Sequence, residues 1–272
     1  MFHQLKSAKL KLDKFNKVRR NLIQAIASIF EESLCDRFVN KYDAKLCEFH
    51  KVLISWLKKR DAIISFNYDC LVDRHLKNFG SDKWNARYGY GLPAGPWRYT
   101  GVDCWNAERP SSKSETIMLL KLHGSMNWQV DENEEAIHLK DRPYTRQHGE
   151  MRFSIIPPEA HKVVEQPYAQ LWKSAARVLR DTDHLVFIGF SFVATDLEAM
   201  SLFHLMTNRK LRSLTIVNPD RIARQRTKQI LIKSILPTTQ VIVFDSFQDY
   251  VNYLNYNMTK LPRRKRRRKG SN

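Results

Sequence analysis

The chain has 272 residues, 43% of them apolar, and a formal net charge of +18. This length and apolar share are sufficient for one main domain with a single large core. Seven of the positive charges lie together from Arg263 to Lys269, which leaves +18 − 7 = +11 for the rest of the chain. That remainder is spread over several predicted helices, so the total charge does not by itself define a nucleic-acid-binding protein.

The cysteines and the apolar runs argue against two further classes of protein. Cys35, Cys47, Cys70 and Cys104 form no Cys-x-x-Cys pair, so we expect no bound metal and a reduced, cytoplasmic protein. No apolar run approaches the roughly 18 residues that a membrane span requires. Residues 1–20 also lack the basic segment and apolar core of a signal peptide, which predicts a soluble chain without an export signal.

Helical spacing dominates residues 1–60. Residues 2–20 form a basic amphipathic segment, and residues 22–34 and 42–57 continue with apolar side chains three and four positions apart. A basic amphipathic helix can meet a membrane surface or nucleic acid, but it more often covers a core with one face while the other is solvated. We favour the second interpretation and predict two or three helices before the first strand.

The first predicted strand covers residues 62–66 and ends in the polar sequence Asn67-Tyr68-Asp69. Ligands of open α/β sheets bind at the carboxyl ends of strands, so this position is a candidate for a site. The pattern predicts a short helix over residues 70–79 after it.

Residues 80–115 are rich in glycine, proline and tryptophan without a period, which predicts a loop-rich insertion. Residues 89–94 within it have the spacing of a dinucleotide-binding glycine loop. However, no predicted strand leads into this sequence, and Pro93 and Pro96 disfavour the helix that should follow. We interpret it as turns.

Strands and helices alternate in the second half of the chain. Apolar runs predict strands at residues 116–122, 152–156, 185–190, 213–217 and 241–244, and helical spacing predicts helices at residues 167–180, 221–236 and after residues 196 and 246. Such alternation favours a parallel sheet covered on both faces. We therefore predict an α/β fold: a Rossmann-like, mostly parallel sheet flanked by helices, with extra N-terminal helices and the loop-rich insertion.

Six residues fall at the carboxyl ends of the predicted strands: Asn67, Asp69, His123, Gly189, Ser191 and Asn218. Right-handed crossovers bring these ends to one edge of the sheet, where we expect a site. His123 ends an apolar run and has a glycine beside it, so its imidazole is open to a ligand. Each residue alone has a plain structural interpretation, since a strand-end histidine is often a hydrogen-bonded structural residue and Asn-Pro is an ordinary turn.

Four short motifs, in this order, resemble the sirtuin superfamily: Ser65-Phe66-Asn67-Tyr68-Asp69, Leu122-His123-Gly124-Ser125, Ile188-Gly189-Phe190-Ser191 and Ile216-Val217-Asn218. The Ile155-Ile156-Pro157-Pro158 step and Asp196 shortly after Ser191 are most similar to the bacterial sirtuin-like branch. Members of that branch hydrolyse NAD and often act in anti-phage defence. The similarity covers about residues 62–249.

The resemblance implies NAD as the substrate, hydrolysed to nicotinamide and ADP-ribose. It implies that His123 is the catalytic histidine, that Asn67 orients the nicotinamide ribose or the attacking water, and that Asp69 holds the carboxamide. A free imidazole, with a pKa near ~6.5, is mostly neutral at cytoplasmic pH and able to accept a proton from water.

The resemblance also implies the contacts of the other half of NAD. Gly189 and Ser191 fall where the family contacts the phosphates and ribose, and Asn218 falls where it faces the adenosine ribose.

The chain departs from the family in two places. The family's first strand leads into a glycine-alanine-glycine-x-serine turn that holds the pyrophosphate on backbone N–H groups, and residues 1–64 contain no match to it. The alternatives are a shortened form of a longer protein and a divergent member that binds nucleotide poorly. The four-cysteine zinc module of protein-deacylating sirtuins is also missing, since no cysteine follows Cys104, so NAD hydrolysis is favoured over deacylation.

The run of basic residues at 263–269 carries like charges that repel one another and do not fold alone. We therefore predict one sirtuin-like domain over residues 1–256 and a disordered basic tail over residues 257–272. If all seven charges neutralised duplex phosphates, the slope of log affinity against log salt would be roughly −6.

The competing hypothesis is a catalytically inactive module that binds nucleic acid or a partner protein through its basic surfaces. Homo-oligomer formation, and a solvated tail without a specific partner, stay open.

Overall fold

The computed structural model describes residues 2–34, 46–92, 97–100, 115–130, 137–140, 152–156, 168–192, 196–204, 208–232 and 234–260. Within these ranges the helices are α1 (Phe2–Leu34), α2 (Glu48–Trp56), α3 (Leu71–Phe79), α4 (Ala86–Gly89), α5 (Tyr168–Asp181), α6 (Leu197–His204), α7 (Arg221–Leu231) and α8 (Phe247–Lys260). The strands are β1 (Ala62–Ser65), β2 (Trp97–Thr100), β3 (Met118–Lys121), β4 (Gly124–Val130), β5 (Ile137–Lys140), β6 (Arg152–Ile155), β7 (His184–Ile188), β8 (Ser213–Val217) and β9 (Gln240–Phe244).

Among the described residues, two of the three sheets are entirely parallel, and they form two groups of strands. β1 pairs with β3, with Ile63 opposite Leu119, and the second group has the order β7-β8-β9, with Phe187 opposite Ile216. Helices follow β1, β7, β8 and β9 in the chain, so the predicted α/β class with parallel strands and flanking helices is confirmed. β8 lies between two neighbours, and four of its five side chains are buried, which explains why its apolar run was readable from the sequence.

Local side-chain hydrogen bonds fix several helix starts. Asp220 accepts a hydrogen bond from the Ile222 N–H at 2.8 Å at the start of α7. Asp69 accepts one from the Leu71 N–H at 2.9 Å at the start of α3. Such side-chain caps satisfy N–H groups that have no partner within the first turn.

A third sheet, with the order β2-β5-β4-β6, was not predicted, and in it β2 runs parallel to β5. β4 runs antiparallel to both β5 and β6, so residues 152–156 form the predicted strand but not in the parallel sheet. The chain enters β4 through Gly124, which has φ +79°, and a Cβ atom there would overlap the backbone carbonyl of Ser154. Glycine is required at this turn because it has no Cβ and tolerates positive φ.

The two parallel groups share core contacts. One apolar cluster surrounds β1 and β3 and includes Leu120 and Trp84, and another surrounds β7 and β8 and includes Phe187 and Leu214. Ile64 and other half-buried side chains of the β1 segment pack against both clusters. The carboxyl ends of the two groups therefore lie side by side.

The remaining predictions fall at the ends of the chain and in the insertion. Residues 2–34 form one helix, and α1 and α2 together fall within the two or three helices predicted before the first strand. Gly89 ends the short helix α4, with no strand leading into it among the described residues, and Gly91 has φ +64°, as turns require. α8 continues to Lys260, and residues 261–272 lie outside the described residues. Of the described helices, none has the length and apolar character needed to cross a membrane.

Candidate functional site

His123 lies directly after β3, at the carboxyl edge of the β1–β3 pair. It is 4% exposed, and its backbone carbonyl accepts a hydrogen bond from the Ile156 N–H at 2.9 Å. Aromatic rings surround the imidazole: the centroids of Phe66, Tyr68 and Trp172 lie 5.5, 6.2 and 5.9 Å away. The imidazole is therefore held in a largely apolar setting at the edge where a ligand was predicted.

The carboxylate nearest to this imidazole belongs to Asp196, just before α6. Asp196 Oδ2 lies 3.5 Å from His123 Nε2, and Asp196 is 9% exposed. Asp196 Oδ1 accepts a hydrogen bond from the Ala199 N–H at 3.3 Å, which holds the carboxylate at the start of α6. A carboxylate beside an imidazole orients the ring and stabilises the imidazolium that forms when the histidine takes up a proton.

Asn67 and Asp69 follow β1, on the same side of the fold as His123. Asn67 is exposed, and its backbone N–H donates to Ser65 Oγ at 3.2 Å. Asp69 is half-buried and accepts the hydrogen bond from the Leu71 N–H at the start of α3, as described above. The structure thus places Asn67 open to solvent at the sheet edge, while part of the hydrogen-bonding capacity of Asp69 goes to the helix.

A buried polar network lies beneath these residues. Lys121, at the end of β3, is 1% exposed, and its ammonium group lies 3.3 Å from Asp73 Oδ2 and donates to the backbone carbonyl of Asp69. Tyr90 donates to Asp73 Oδ1 at 2.6 Å, and Asn127 donates to the Tyr90 hydroxyl at 3.3 Å. The network ties the strand that carries His123 to the turn that carries Asp69.

Two pKa shifts follow from this network. Burial alone would lower the pKa of Lys121, but the negative charge of Asp73 and its neighbours outweighs burial and raises that pKa. Burial raises the pKa of the Tyr90 hydroxyl, and the Asp73 charge adds to this shift. Both groups are therefore protonated, so that the lysine is a cation and the tyrosine a donor.

Gly189, Ser191 and Asn218 belong to the other parallel group. Gly189 is exposed with φ +68°, and its N–H donates to the Val217 carbonyl at 2.9 Å. The Ser191 carbonyl accepts a hydrogen bond from Arg226 at 3.1 Å. Asn218 is 4% exposed and donates from Nδ2 to the Phe190 carbonyl at 3.2 Å.

The Asn218 side chain thus joins the ends of β7 and β8. Its Oδ1 accepts a hydrogen bond from the Asp220 N–H at 2.9 Å, and its backbone carbonyl accepts one from Arg224 at 2.6 Å. Arg224 also lies 2.7 Å from Asp245. Both Nδ2 and Oδ1 of Asn218 are hydrogen-bonded within the protein, so this side chain holds the strand ends at this edge in place.

Two contacts join the part of the site on β1 and β3 to the part on β7 and β8. The rings of Phe66, after β1, and Phe190, after β7, stack with centroids 4.6 Å apart. The second contact is the pair of His123 and Asp196. The six predicted residues therefore lie along one carboxyl edge, three on each parallel group.

Sequence reasoning missed the partners of these residues. Asp196 was predicted as a helix start and as part of the resemblance, but not as the partner of His123. Lys121 was overlooked because lysine is rarely buried. Trp172, which donates to the Leu122 carbonyl at 3.1 Å, lies in the helix predicted over residues 167–180, and helical spacing alone does not place it beside His123.

Two cavities adjoin this region. One, of about 340 Å³, lies between α5 and α6 and is lined by Ala169, Trp172, Leu197, Glu198 and Ser201. It shares Trp172 with the surroundings of His123, and Leu197 follows Asp196 in the chain. The other, of about 640 Å³, is an open groove on α5 whose lining includes Lys173, Arg177 and Arg180. Among the described residues, no group of three or more His, Cys, Asp or Glu side chains is arranged to hold a metal ion.

This arrangement defines an α/β domain with a histidine–carboxylate pair at the carboxyl edge of parallel strands. The family model described as the SIR2-like domain matches residues 61–234, well over half of the chain. The protein therefore belongs to the SIR2-like domain family, and the family resemblance read from its motifs is confirmed.

Solved structures give distant similarities. A structure of Sir2 enzymes described for their mechanism and regulation has 13% identity and a TM-score of 0.43, with 87% of this chain and 80% of that chain covered. A Sir2 homologue–NAD complex has 13% identity and a TM-score of 0.42, with coverage of 89% and 78%. A Sir2–p53 peptide–NAD⁺ complex has 12% identity and a TM-score of 0.40, with coverage of 80% and 72%. Comparison with curated sequences gives no significant match.

Proposed function

We propose that this protein binds NAD at the carboxyl edge of its parallel strands and hydrolyses the bond between nicotinamide and ribose. The observation that carries the proposal is the placement of His123 beside the Asp196 carboxylate, at the edge where a SIR2-like domain is expected to bind its ligand. The reaction is NAD⁺ + H₂O → nicotinamide + ADP-ribose + H⁺. The leaving nicotinamide departs neutral, so the protein needs a base for water rather than a strong acid.

The proposed roles follow the geometry of the edge. His123 accepts the proton of the attacking water, and Asp196 stabilises the resulting imidazolium. Asn67, which is exposed beside this edge, orients the water or the nicotinamide ribose, and Asp69 holds the carboxamide. The surrounding rings of Phe66 and Trp172 limit access of bulk water, which strengthens charge interactions within the site.

The second half of the edge is proposed to hold the remainder of the nucleotide. Gly189 presents backbone without a side chain, and no atom lies within 4 Å of the position that a Cβ would take there. A ligand can therefore approach the strand end closely. Ser191 is proposed to contact the ribose and phosphates, and Asn218 to face the adenosine ribose while it shapes the edge.

The test is nicotinamide release from NAD by the purified full chain. We expect release by the wild type and a loss of roughly 100-fold or more in His123→Ala, because a positioned base contributes about 10²–10⁴-fold. His184→Ala is the matched control, since His184 is an exposed histidine at the amino end of β7, hydrogen-bonded to Ser213. Equal release by wild type and His123→Ala would remove His123 from the mechanism, and NAD binding without release would reduce the proposal to a binding protein.

The biological setting is also a proposal. Members of the bacterial sirtuin-like branch that the motifs resemble often act in anti-phage defence, and we propose this role in the cytoplasm. Bacteria that express the wild type should restrict a phage panel and lose NAD on infection, while His123→Ala cells should do neither.

The second candidate function is binding of a polyanion, and one observation favours it. The groove on α5 carries Lys173, Arg177 and Arg180 in successive turns. Fluorescence anisotropy with duplex DNA and RNA tests this function. Binding that weakens steeply with salt, and that falls on deletion of residues 263–269 or on Arg177→Ala, would support it.

A further inference from the structure

The turn after β7 contains two residues with positive φ. Gly189 has φ +68° and Phe192 has φ +48°. Positive φ is ordinary for glycine but strained for a phenylalanine, so the surrounding structure must hold Phe192 in this conformation. Strained backbone of this kind is concentrated at ligand-binding sites. The groups that hold this turn are therefore candidates for a role in ligand binding.

Aromatic packing provides one restraint on the turn. The Phe192 side chain is 1% exposed, and its ring centroid lies 4.6 Å from that of Phe190 and 5.2 Å from that of Phe203. These rings belong to the apolar cluster around β7 and β8. The packing fixes the side chains, but the peptide groups between them can still rotate about the single bonds on either side. A second restraint is needed to set the direction of those peptide groups.

Polar side chains from residues 218–226 supply this second restraint. Asn218 donates to the carbonyl of Phe190 at 3.2 Å. Arg226, on α7, donates from Nη1 to the carbonyls of Ser191 and Phe192, at 3.1 Å each. The guanidinium group is planar and its donors have fixed directions, so one nitrogen can hold two carbonyls in a defined geometry. Three successive carbonyls of the turn are thus held by side chains.

The N–H groups of the same turn are directed away from these side chains. In a trans peptide group the carbonyl and the N–H point in opposite directions. Holding the carbonyls of Phe190 and Ser191 therefore turns the N–H groups of Ser191 and Phe192 away from Asn218 and Arg226. Within the part of the chain that the structure describes, these two N–H groups have no hydrogen-bond partner. Successive N–H groups beside a residue with positive φ form a concavity that suits an anion.

Arg226 also adds positive charge at this turn. Arg224, two positions earlier on α7, is paired with Asp245 at 2.7 Å. Arg226 has no carboxylate partner among the residues with described positions, and its acceptors are the two carbonyls. A carbonyl carries no net charge, so the charge of Arg226 is not compensated there. An anion at the N–H groups of the turn is attracted by this charge.

We propose that Arg226 is a positioning residue for the dinucleotide: by binding the carbonyls of Ser191 and Phe192, it fixes the turn with its N–H groups toward the phosphates of NAD. This role rests on the proposed binding of NAD at this edge. It concerns affinity and not the chemical step, because the His123–Asp196 pair is held by β3 and by the start of α6.

Kinetics of nicotinamide release by the full chain test this role with two variants of one residue. Arg226→Gln removes the charge, and Arg226→Lys keeps the charge without the planar fork. We expect the KM for NAD to rise roughly 10-fold or more in Arg226→Gln, the size expected for lost hydrogen bonds to a charged group. Arg226→Lys should recover only part of this loss. In both variants kcat should stay within about 3-fold of the wild type, and the Kd for ADP-ribose should follow KM.

Lys228→Gln is the matched control, because Lys228 is exposed on the same helix and its substitution removes the same charge. Its KM and kcat should equal those of the wild type. A second measurement needs no nucleotide. Chymotrypsin cleaves after phenylalanine, so cleavage after Phe190 and Phe192 reports how firmly the turn is held. Arg226→Gln should be cut there at least ~10-fold faster than the wild type and Lys228→Gln, with cleavage elsewhere unchanged.

Several results would overturn this role for Arg226. Full recovery by Arg226→Lys would show that charge alone is sufficient, and an equal rise of KM in Lys228→Gln would show a general effect of charge. A fall in kcat as large as the rise in KM, or a turn as resistant to chymotrypsin in Arg226→Gln as in the wild type, would also contradict it. Wild-type release that is unchanged in Arg226→Gln would remove this role alone, whereas a wild type that binds no NAD would remove the proposed function as well.

Discussion

His123 Nε2 lies 3.5 Å from Asp196 Oδ2, and this pair connects the end of β3 to the start of α6. Because Asp196 also caps α6 through the Ala199 N–H, one side chain serves both the imidazole and the helix. Substitution at Asp196 can separate these two contributions.

Asp196→Asn should lower nicotinamide release by roughly 10-fold or more with little change in stability. The amide still accepts the Ala199 hydrogen bond, but it no longer stabilises an imidazolium by charge. Asp196→Ala should lose the cap as well and cost about 1 kcal/mol in the free energy of unfolding. Nicotinamide release rates and urea unfolding of both variants measure these two effects. An unchanged rate in Asp196→Asn would show that the carboxylate charge does not assist the histidine.

Lys121→Met should destabilise the protein by about 3–5 kcal/mol, because it leaves the Asp73 carboxylate buried without its cation. The double variant Lys121→Met/Asp73→Leu should recover much of this loss, since no buried charge then remains. Recovery should be incomplete because Tyr90 loses its acceptor. Urea unfolding of the wild type and the variants measures the coupling between Lys121 and Asp73. A loss of unfolding free energy in the double variant equal to the sum of the losses in the single variants would contradict this coupling.

Cys70 should resist alkylation in the folded protein. Burial raises the pKa of its thiol to about 12, and the charge of Asp73 adds to the shift, so almost no thiolate forms at pH 8. Cys47 is only half-buried and serves as the internal comparison. Iodoacetamide labelling followed by peptide mass spectrometry should show Cys70 reacting at least ~100-fold more slowly than Cys47. The difference should disappear in urea.

Stability should fall as the pH drops from about 6.5 towards about 4, in part because of His50. The pKa of His50 is lowered from 6.5 to about 4, mainly by burial and to a smaller extent by the nearby His75, against an opposing contribution from Asp69. In this window the unfolded chain takes up a proton that the folded chain does not, so protonation favours unfolding.

His50→Phe is the variant that checks this contribution. The ring of His50 already packs on Phe247, with centroids 5.1 Å apart, so phenylalanine suits the site. Urea midpoints at pH 7.5 and pH 5 should differ less for His50→Phe than for the wild type. An equal difference in both proteins would assign the acid sensitivity to other groups.

The helices and strands that could be predicted from the sequence were those with a strong local pattern. β7 and β8 were predicted because apolar residues run through them, and α7 because its residues have helical spacing. β4 was missed because its sequence, GSMNWQV, has both faces buried and polar residues among its apolar ones, so it shows neither alternation nor a continuous apolar run. The edge that carries His123 was predicted, because polar residues at strand ends are visible in the sequence.

The amino-acid sequence by itself determined the α/β class, the family and the positions of six candidate residues at strand ends. Tertiary structure decided which side chains face them: Asp196, just before α6, reaches His123 although it lies 73 positions later, and the buried Lys121 is paired with Asp73 of α3. It also decided that β6 pairs with β4 in a separate sheet instead of joining the parallel strands. Local patterns report the preference of a segment for helix or strand. Contacts between distant segments depend on how those segments pack, and that information is not contained in any one of them.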